Sequence, residues 1–145
     1  MQCLELALRL KQKTRHLEVS KQFSVKLLET SKKHIEKYPK SKERREVFRK
    51  ASKAAQGLNQ DYEAIRLLEM TIGEHADDST IVEEMNVRAY LFDKINDMEK
   101  AEKAYKQIIE AFPNHHSVPM HRERLKTLHM SEEELLKHFQ KKNAK

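Results

Sequence analysis

The chain has 145 residues, of which 38% are hydrophobic and 36% charged, and it contains two glycines and three prolines. A β-sandwich or barrel needs a turn about every ten residues, and a nucleotide-binding α/β domain needs a glycine-rich loop, so this composition excludes both classes and predicts an all-α protein. The net charge of +6 is unevenly distributed, because residues 1–60 carry +10, residues 61–110 carry −7 and residues 111–145 carry +3.

The first 41 residues contain two predicted helices, over residues 2–18 and 21–38. Leucines recur at helical spacing in the first segment, and the second presents an apolar face of the same period. The break between them near Ser20 is weak, so they form either a divergent N-terminal hairpin (residues 1–41) or one long helix. Pro39 ends the second segment, because the residue before a proline is displaced from the α-helical region.

Two helices of similar length follow, over residues 42–56 and 62–75. The first is expected to end at Gly57, because glycine is the residue type that most often follows the end of a helix. Asp61 opens the second. The connection between them is only a few residues long, which predicts that they pack as an antiparallel hairpin.

Capping boxes predict where three later helices begin. In this motif a polar cap residue is followed three positions later by Glu, and each side chain accepts a hydrogen bond from a free backbone amide. The pairs are Thr80 with Glu83, Asn96 with Glu99, and Ser131 with Glu134. Two short helices, over residues 118–129 and 132–143, are predicted to cap the C-terminal end in the segment 118–143. The predicted total is about seven to eight helices.

Apolar positions repeat along the chain at a spacing of 37 residues. The sets at this spacing are Ile35, Ile72 and Ile109, and Pro39, Ala76 and Pro113. A period of this size carried by helix pairs is typical of an α-solenoid, in which each hairpin buries its apolar face against its neighbours. Residues 1–145 are therefore predicted to form a single domain of stacked antiparallel hairpins, either whole or part of a longer array.

Residues 82–115 resemble a tetratricopeptide repeat (TPR), and residues 45–78 match the same pattern less fully. The packing positions of the pattern are occupied by Met85, Ala89, Phe92, Ala101, Tyr105 and Pro113 in the first segment, and by Phe48, Ala64 and Leu68 in the second. Arg88 departs from the family, which prefers an aliphatic residue there, and Ala76 replaces the terminating proline. The resemblance implies a TPR-like α-solenoid, in which small residues let helices approach and aromatic residues fill the gaps between hairpins.

The resemblance also implies a non-enzymatic protein–protein interaction scaffold that binds a peptide or partner helix in a concave groove. The groove residues would be Arg49, Lys53, Gln56, Asn86, Tyr90 and Asp93, with Glu46 and Glu83 beside them. Because Arg49 and Lys53 lie one helical turn apart, their charges converge, and an acidic or C-terminal peptide is the expected partner. The lysine and asparagine arrangement of the chaperone-binding TPR clamps is not reproduced.

An alternative is non-specific binding of nucleic acid or another polyanion by the basic N-terminal half. Ten lysines and arginines fall between Lys32 and Lys53, and such a cluster would neutralise phosphates. The aromatic residues of that stretch are Tyr38 and Phe48, and Phe48 is expected in the core, so a base-stacking platform is lacking. The same charges can instead attract the acidic middle of the chain within the fold.

No residue pattern typical of catalysis or cofactor binding is present. Without a Gly-x-Ser-x-Gly elbow, a phosphate-binding loop or a His-Glu-x-x-His motif, neither an enzyme nor a cofactor is predicted. His115, His116 and His121 lack an acidic or cysteine partner at metal-site spacing, so no metal site is predicted. The single cysteine, Cys3, excludes an intramolecular disulfide. The first residues do not form a signal peptide, which favours the cytoplasm unless the chain has been shortened.

Overall fold

The computed structural model describes residues 2–144, with side chains from Leu4 onward, so the side chain of Cys3 lies outside the described part. Within this range the chain forms seven α-helices and a single 3₁₀ turn, Ser79–Ile81, and contains no strand. The helices are α1 (Gln2–Lys37), α2 (Arg44–Gly57), α3 (Asp61–Glu74), α4 (Val82–Lys94), α5 (Met98–Ala111), α6 (Val118–Thr127) and α7 (Glu132–Asn143). The all-α prediction is confirmed. No helix among these residues is both long and apolar enough to cross a membrane.

The N-terminal segment is one continuous helix, α1, of 36 residues. Of the two alternatives for residues 1–41, the long helix is therefore correct and the hairpin is wrong. The physical reason is that no glycine or proline precedes Pro39, and a serine such as Ser20 costs little inside a helix. At ~1.5 Å per residue, α1 is roughly 54 Å long.

α2 packs against the second half of α1. At one end of this contact, Arg44 Nη1 donates a hydrogen bond to the carbonyl oxygen of Ile35 at 3.1 Å. At the other end, Gly57 lies so close to α1 that an added Cβ would be 3.5 Å from Ser24 Oγ. α2 therefore lies along residues 24–35 of α1.

The part of α1 that precedes this contact carries exposed apolar side chains. α2 has 14 residues and spans roughly 21 Å, less than half the length of α1. The large apolar side chains exposed on α1 are Leu4, Leu6, Leu8, Leu10, Leu17, Val19, Phe23 and Val25. Among the described side chains of α1, residues 4–37, the buried ones are Leu28 and Ser31, and both lie where α2 runs alongside.

The chain divides into two compact units, residues 1–73 and 74–145. The core of the first unit is formed by Leu28, Phe48, Ala51, Ala54, Ala55, Ala64, Ile65, Leu67, Leu68 and Ile72. A salt bridge of 2.7 Å between Lys32 Nζ and Glu63 Oε1 joins α1 to α3. The hydrogen bonds that Arg66 and Lys32 donate to Glu63 lower the pKa of this carboxyl to about 2, so it is charged at neutral pH.

In the second unit, α4 packs against α5 and α5 packs against α6. The apolar core here is formed by Ile81, Val82, Met85, Ala89, Leu91, Phe92, Ala101, Ala104, Tyr105, Ile108, Val118 and Leu128. Arg88 Nη2 donates a hydrogen bond of 2.7 Å to Gln107 Oε1, between α4 and α5. α7 contributes no buried residue. Its His138 and Lys142 both contact Glu123 Oε1 of α6, at 3.0 and 3.1 Å.

The loop after α2 and the loop after α4 have the same backbone geometry at a spacing of 37 residues. Asn59 and Asn96 both adopt left-handed φ angles, 56° and 61°, which asparagine tolerates better than most residues. Four backbone hydrogen bonds are the same in both loops. In the first loop they run from Leu58 N to Ala54 O, Asn59 N to Gln56 O, Gln60 N to Ala55 O and Ala64 N to Gln60 O. In the second loop they run from Ile95 N to Leu91 O, Asn96 N to Asp93 O, Asp97 N to Phe92 O and Ala101 N to Asp97 O. Asn59, rather than Gly57, is therefore the left-handed residue after α2, which corrects the predicted cap.

Of the three predicted capping boxes, the one at the start of α7 is confirmed. Ser131 Oγ accepts a hydrogen bond from the Glu134 amide, and the Glu134 carboxylate accepts one from the Ser131 amide. Before α4, Asp78 rather than Thr80 is the cap, and it begins the 3₁₀ turn that precedes the helix. α5 is capped by Asp97, one residue later than predicted.

Candidate functional site

The predicted groove residues on α2 present positive charge to solvent. Arg49 and Lys53 are exposed and lie one helical turn apart, and Arg49 Nη1 is 4.0 Å from Glu46 Oε2. Gln56 is half-buried, and its Nε2 donates to the backbone oxygen and the hydroxyl of Ser52, both at 3.3 Å. The surface of α2 therefore carries the positive charges of Arg49 and Lys53, whereas the side-chain amide of Gln56 forms hydrogen bonds within the helix.

The predicted groove residues on α4 differ in whether they are exposed to solvent or hydrogen-bonded within the second unit. Tyr90 is exposed. Asn86 accepts hydrogen bonds from Ser117 and His121, and Asp93 accepts two from Arg124, so both side chains are used within the second unit. The prediction that Asn86 and Asp93 are open to a partner is wrong, because α6 supplies donors that cover them.

Asp93 is the centre of a polar cluster that joins α4, α5 and α6. Arg124 Nε donates to Asp93 Oδ2 at 2.6 Å and Nη2 donates to Oδ1 at 2.7 Å, and Tyr105 donates its hydroxyl to Oδ2 at 3.0 Å. The hydrogen bonds from Arg124 lower the pKa of Asp93. Burial, together with the charge of Asp93, raises the pKa of Tyr105, which keeps this phenol protonated. The cluster is satisfied internally and holds three helices together.

Asn86 is the centre of a second polar cluster. His121 Nε2 lies 2.7 Å from Asn86 Oδ1, and Ser117 donates its hydroxyl to the same oxygen at 3.3 Å. Ser117 Oγ also lies 2.7 Å from His115 Nδ1. Burial, and after it the nearby charge of His115, lowers the pKa of His121, which favours a neutral ring. A chain of polar contacts thus runs from His121 to the loop that precedes α6.

The predicted packing residues, apart from the terminating proline, are buried. They are Phe48, Ala64, Leu68, Met85, Ala89, Phe92, Ala101 and Tyr105. Ala64, Ala89 and Ala101 are fully buried, so a larger side chain would have no room at these positions. Pro113 is exposed and lies two residues after the end of α5.

An open depression of about 610 Å³ lies at the junction of α1 and α2. Its lining is mainly apolar and is formed by His34, Lys37, Tyr38, Pro39, Lys40, Ser41 and Glu43. The rings of His34 and Tyr38 are 5.0 Å apart between centroids. His34 Nε2 is buried and has no hydrogen-bond partner among the described residues. An apolar depression with a few polar groups is the usual form of a ligand-binding site.

Charged side chains surround this depression. Lys37 Nζ lies 5.3 Å from the centroid of the Tyr38 ring, and Lys37 and Lys40 are both exposed. The hydroxyl of Ser41 donates to Glu43, and this hydrogen bond lowers the pKa of Glu43. We call the residues that line the depression, 34 and 37–43 without residue 42, the basic depression.

The basic depression could not be predicted from the sequence, because its shape depends on how α1 ends and α2 begins. The local signal was an exposed aromatic, Tyr38, directly before Pro39 within a run of lysines. Such a pair ends a helix and leaves apolar surface at the turn.

The chain matches no protein-family model and is not significantly similar to any curated protein.

Proposed function

We propose that the chain is a TPR-like helical repeat protein that binds a partner protein and has no catalytic role. Two observations support the repeat assignment. The residues at the helix-packing positions of the TPR pattern are buried, and the loops after α2 and α4 share four backbone hydrogen bonds at 37-residue spacing. On this proposal, α4 and α5, which pack against each other, form one helical hairpin, and α2 followed by α3 is the corresponding segment of the preceding repeat.

The repeat spacing also has a structural explanation on this proposal. A TPR unit has about 34 residues, three fewer than the spacing of the equivalent loops. Between the two TPR-like segments, 45–78 and 82–115, lie three residues, Ser79–Ile81, which form the 3₁₀ turn capped by Asp78. The extra length is thus accommodated between hairpins, where it leaves the packing positions inside each hairpin unchanged.

The observation that carries the binding function is the basic depression. Tyr38 and Pro39 present apolar surface there, and the ammonium groups of Lys37 and Lys40 lie beside it. An acidic peptide with an apolar side chain between its carboxylates matches this arrangement, because it covers the apolar surface and pairs its charges with the lysines. Arg49 and Lys53 on α2 extend the positive charge of the same unit.

The proposal is tested by fluorescence anisotropy with labelled short peptides in which Glu and Leu alternate. Matched peptides with Lys in place of Glu serve as the ligand control. We expect saturable binding of the acidic peptide and none of the basic peptide. Tyr38→Ala should weaken binding at least ~10-fold, because truncating a central aromatic side chain commonly costs about 2 kcal/mol of binding free energy. Tyr38 is half exposed, so circular dichroism should show that this variant folds like the parent.

A charge-matched control separates the depression from general electrostatic attraction. Lys37→Glu combined with Lys40→Glu should abolish peptide binding. Lys11→Glu combined with Lys13→Glu makes the same change in net charge at exposed positions of α1, and we expect it to weaken binding less than ~3-fold, since separated surface charges are screened by salt. Equal losses in both double variants would contradict the assignment to the basic depression.

A second candidate function is binding of single-stranded nucleic acid, which the exposed ring of Tyr38 favours. An aromatic ring beside Lys37 and Lys40 can stack on a base while the lysines contact phosphates. A labelled mixed-sequence oligonucleotide, titrated at about 50 and about 200 mM salt, tests this candidate. Micromolar binding that collapses at the higher salt, with no binding of the acidic peptide, would favour nucleic acid over a protein partner.

A further inference from the structure

Glu83, His115 and His116 converge in the second unit, although Glu83 and His115 are 32 positions apart in the sequence. Each side chain offers one ligand atom, and these three atoms all lie within 4.8 Å of one another. Glu83 belongs to the first turn of α4, whereas both histidines belong to the loop between α5 and α6. The side chains are exposed or half-buried, so a cation has access to them.

The distance between His115 and Glu83 is close to that between two ligands of a transition-metal ion. His115 Nε2 is 3.7 Å from Glu83 Oε1, and two ligands of a tetrahedral zinc ion with bonds of about 2.1 Å lie about 3.4 Å apart. The ring centroids of His115 and His116 are only 4.1 Å apart. These adjacent side chains therefore point in the same direction, and small rotations of exposed side chains would close the remaining gaps.

Ser117 orients the ring of His115. Its Oγ lies 2.7 Å from His115 Nδ1 and donates its own proton to Asn86 Oδ1 at 3.3 Å. The backbone N–H of Ser117 donates to the same Nδ1 at 3.2 Å. Together these two contacts fix the orientation of the imidazole, with Nε2 on the side of Glu83. A metal-binding histidine carries its proton on the second ring nitrogen, so Zn²⁺ at Nε2 would place a proton on Nδ1, where Ser117 Oγ is an acceptor 2.7 Å away.

We propose that Glu83, His115 and His116 form a Zn²⁺ site, with water as the fourth ligand. Two imidazole nitrogens and one carboxylate suit Zn²⁺, whereas Mg²⁺ prefers oxygen ligands alone. The bound ion ties the loop before α6 to the first turn of α4. This site is independent of the proposed function, because its residues belong to the second unit and the basic depression belongs to the first.

The experiment is calorimetric titration of the full chain with ZnCl₂ alone. We expect one ion per chain at this site, no competition from MgCl₂, and a rise in Tm when Zn²⁺ is present. His115→Gln, His116→Gln and Glu83→Gln should each weaken Zn²⁺ binding at least ~10-fold and remove most of the rise in Tm, while circular dichroism stays unchanged. Ser117→Ala removes the contact with His115 and also the hydrogen bond to Asn86; it should weaken binding about 10-fold, with circular dichroism as the check on its fold.

His138→Gln is the matched control. His138 Nε2 also contacts a carboxylate, Glu123 Oε1, at 3.0 Å, but among the described residues no second histidine joins this pair in a three-residue cluster. We expect this variant to bind Zn²⁺ like the parent. The proposal is overturned if the parent shows no saturable Zn²⁺ binding, if His115→Gln combined with His116→Gln binds as tightly as the parent, or if His138→Gln alone removes the binding.

Discussion

Arg124→Met is the substitution whose effect on stability the structure predicts in most detail. The guanidinium donates two hydrogen bonds to Asp93, at 2.6 and 2.7 Å, across the space between α6 and α4. The side chains of Arg124 and Asp93 are 33% and 17% exposed, so neither charge is fully solvated. Methionine keeps the apolar stem of arginine but leaves the Asp93 carboxylate with Tyr105 as its remaining donor among these contacts.

The magnitude follows from the number of bonds and their partial exposure. A hydrogen bond between charged groups contributes about 1.5–3 kcal/mol, and the exposure of Arg124 reduces the combined value of two such bonds. We therefore expect a loss of about 2 kcal/mol in the free energy of unfolding, which for a chain of this size lowers Tm by about 4–8 °C. The loss of stability caused by Arg124→Met should be smaller in acid. Folding lowers the pKa of Asp93, so the charged carboxylate stabilises the folded chain above its unfolded pKa of about 3.9. This contribution is lost as the pH falls below that range.

The assay is thermal unfolding followed by circular dichroism, with Lys103→Met as the control. Lys103 forms an exposed salt bridge of 3.0 Å with Glu99, and both side chains are at least 75% exposed. Such pairs contribute little, so the control should lower Tm by less than about 2 °C. A double-mutant cycle with Asp93→Asn should give a coupling energy of about 1–2 kcal/mol. Equal Tm values for Arg124→Met and Lys103→Met would refute the reasoning.

Three further predictions follow from the packing and the surface. Ala101→Arg places a long charged side chain at a position with no exposed area and should cost more than about 3 kcal/mol; a Tm within about a degree of the parent would show that the repeat register is wrong. Ser131→Ala removes a capping-box hydrogen bond and should speed amide exchange in α7 about 5-fold, since such a cap contributes about 1 kcal/mol; unchanged exchange would contradict this. Arg49→Glu combined with Lys53→Glu should weaken acidic-peptide binding in the anisotropy assay without changing Tm by more than about 2 °C, and unchanged binding would exclude this face of α2.

The helical class and most of the core were predictable, because they depend on local periodicity and composition. Phe48, Met85 and Ala101 are buried where the apolar pattern places them. The N-terminal segment left two alternatives open, because a serine such as Ser20 neither forces nor forbids a turn. Tertiary contact with α2 covers only residues 24–35, so it does not explain the length of α1; the absence of glycine and proline does.

The polar residues of the predicted groove were harder to place. A helical wheel puts Asn86, Tyr90 and Asp93 on one side of α4, but it does not show that α6 covers that side. Whether each side chain faces solvent depends on donors from a helix about 30 residues later in the chain, such as Arg124. Local spacing could not reveal these contacts.

The proximity of Glu83 to His115 could not be predicted for the same reason, because the two residues are distant in the sequence. His115 and His116 are adjacent in the sequence, whereas Glu83 belongs to α4 and lies at no fixed spacing from them. The left-handed residue after α2 is Asn59 and not the predicted Gly57. Asparagine at that position, repeated 37 residues later at Asn96, was the available signal.

The most direct test of partner binding is a map of the backbone amides whose NMR signals shift when the alternating Glu and Leu peptide is added. If the basic depression binds acidic peptides, the largest shifts should fall between His34 and Glu43, and they should disappear in Tyr38→Ala. Shifts confined to α4 and α6, or an unchanged spectrum at saturating peptide, would contradict the proposed function.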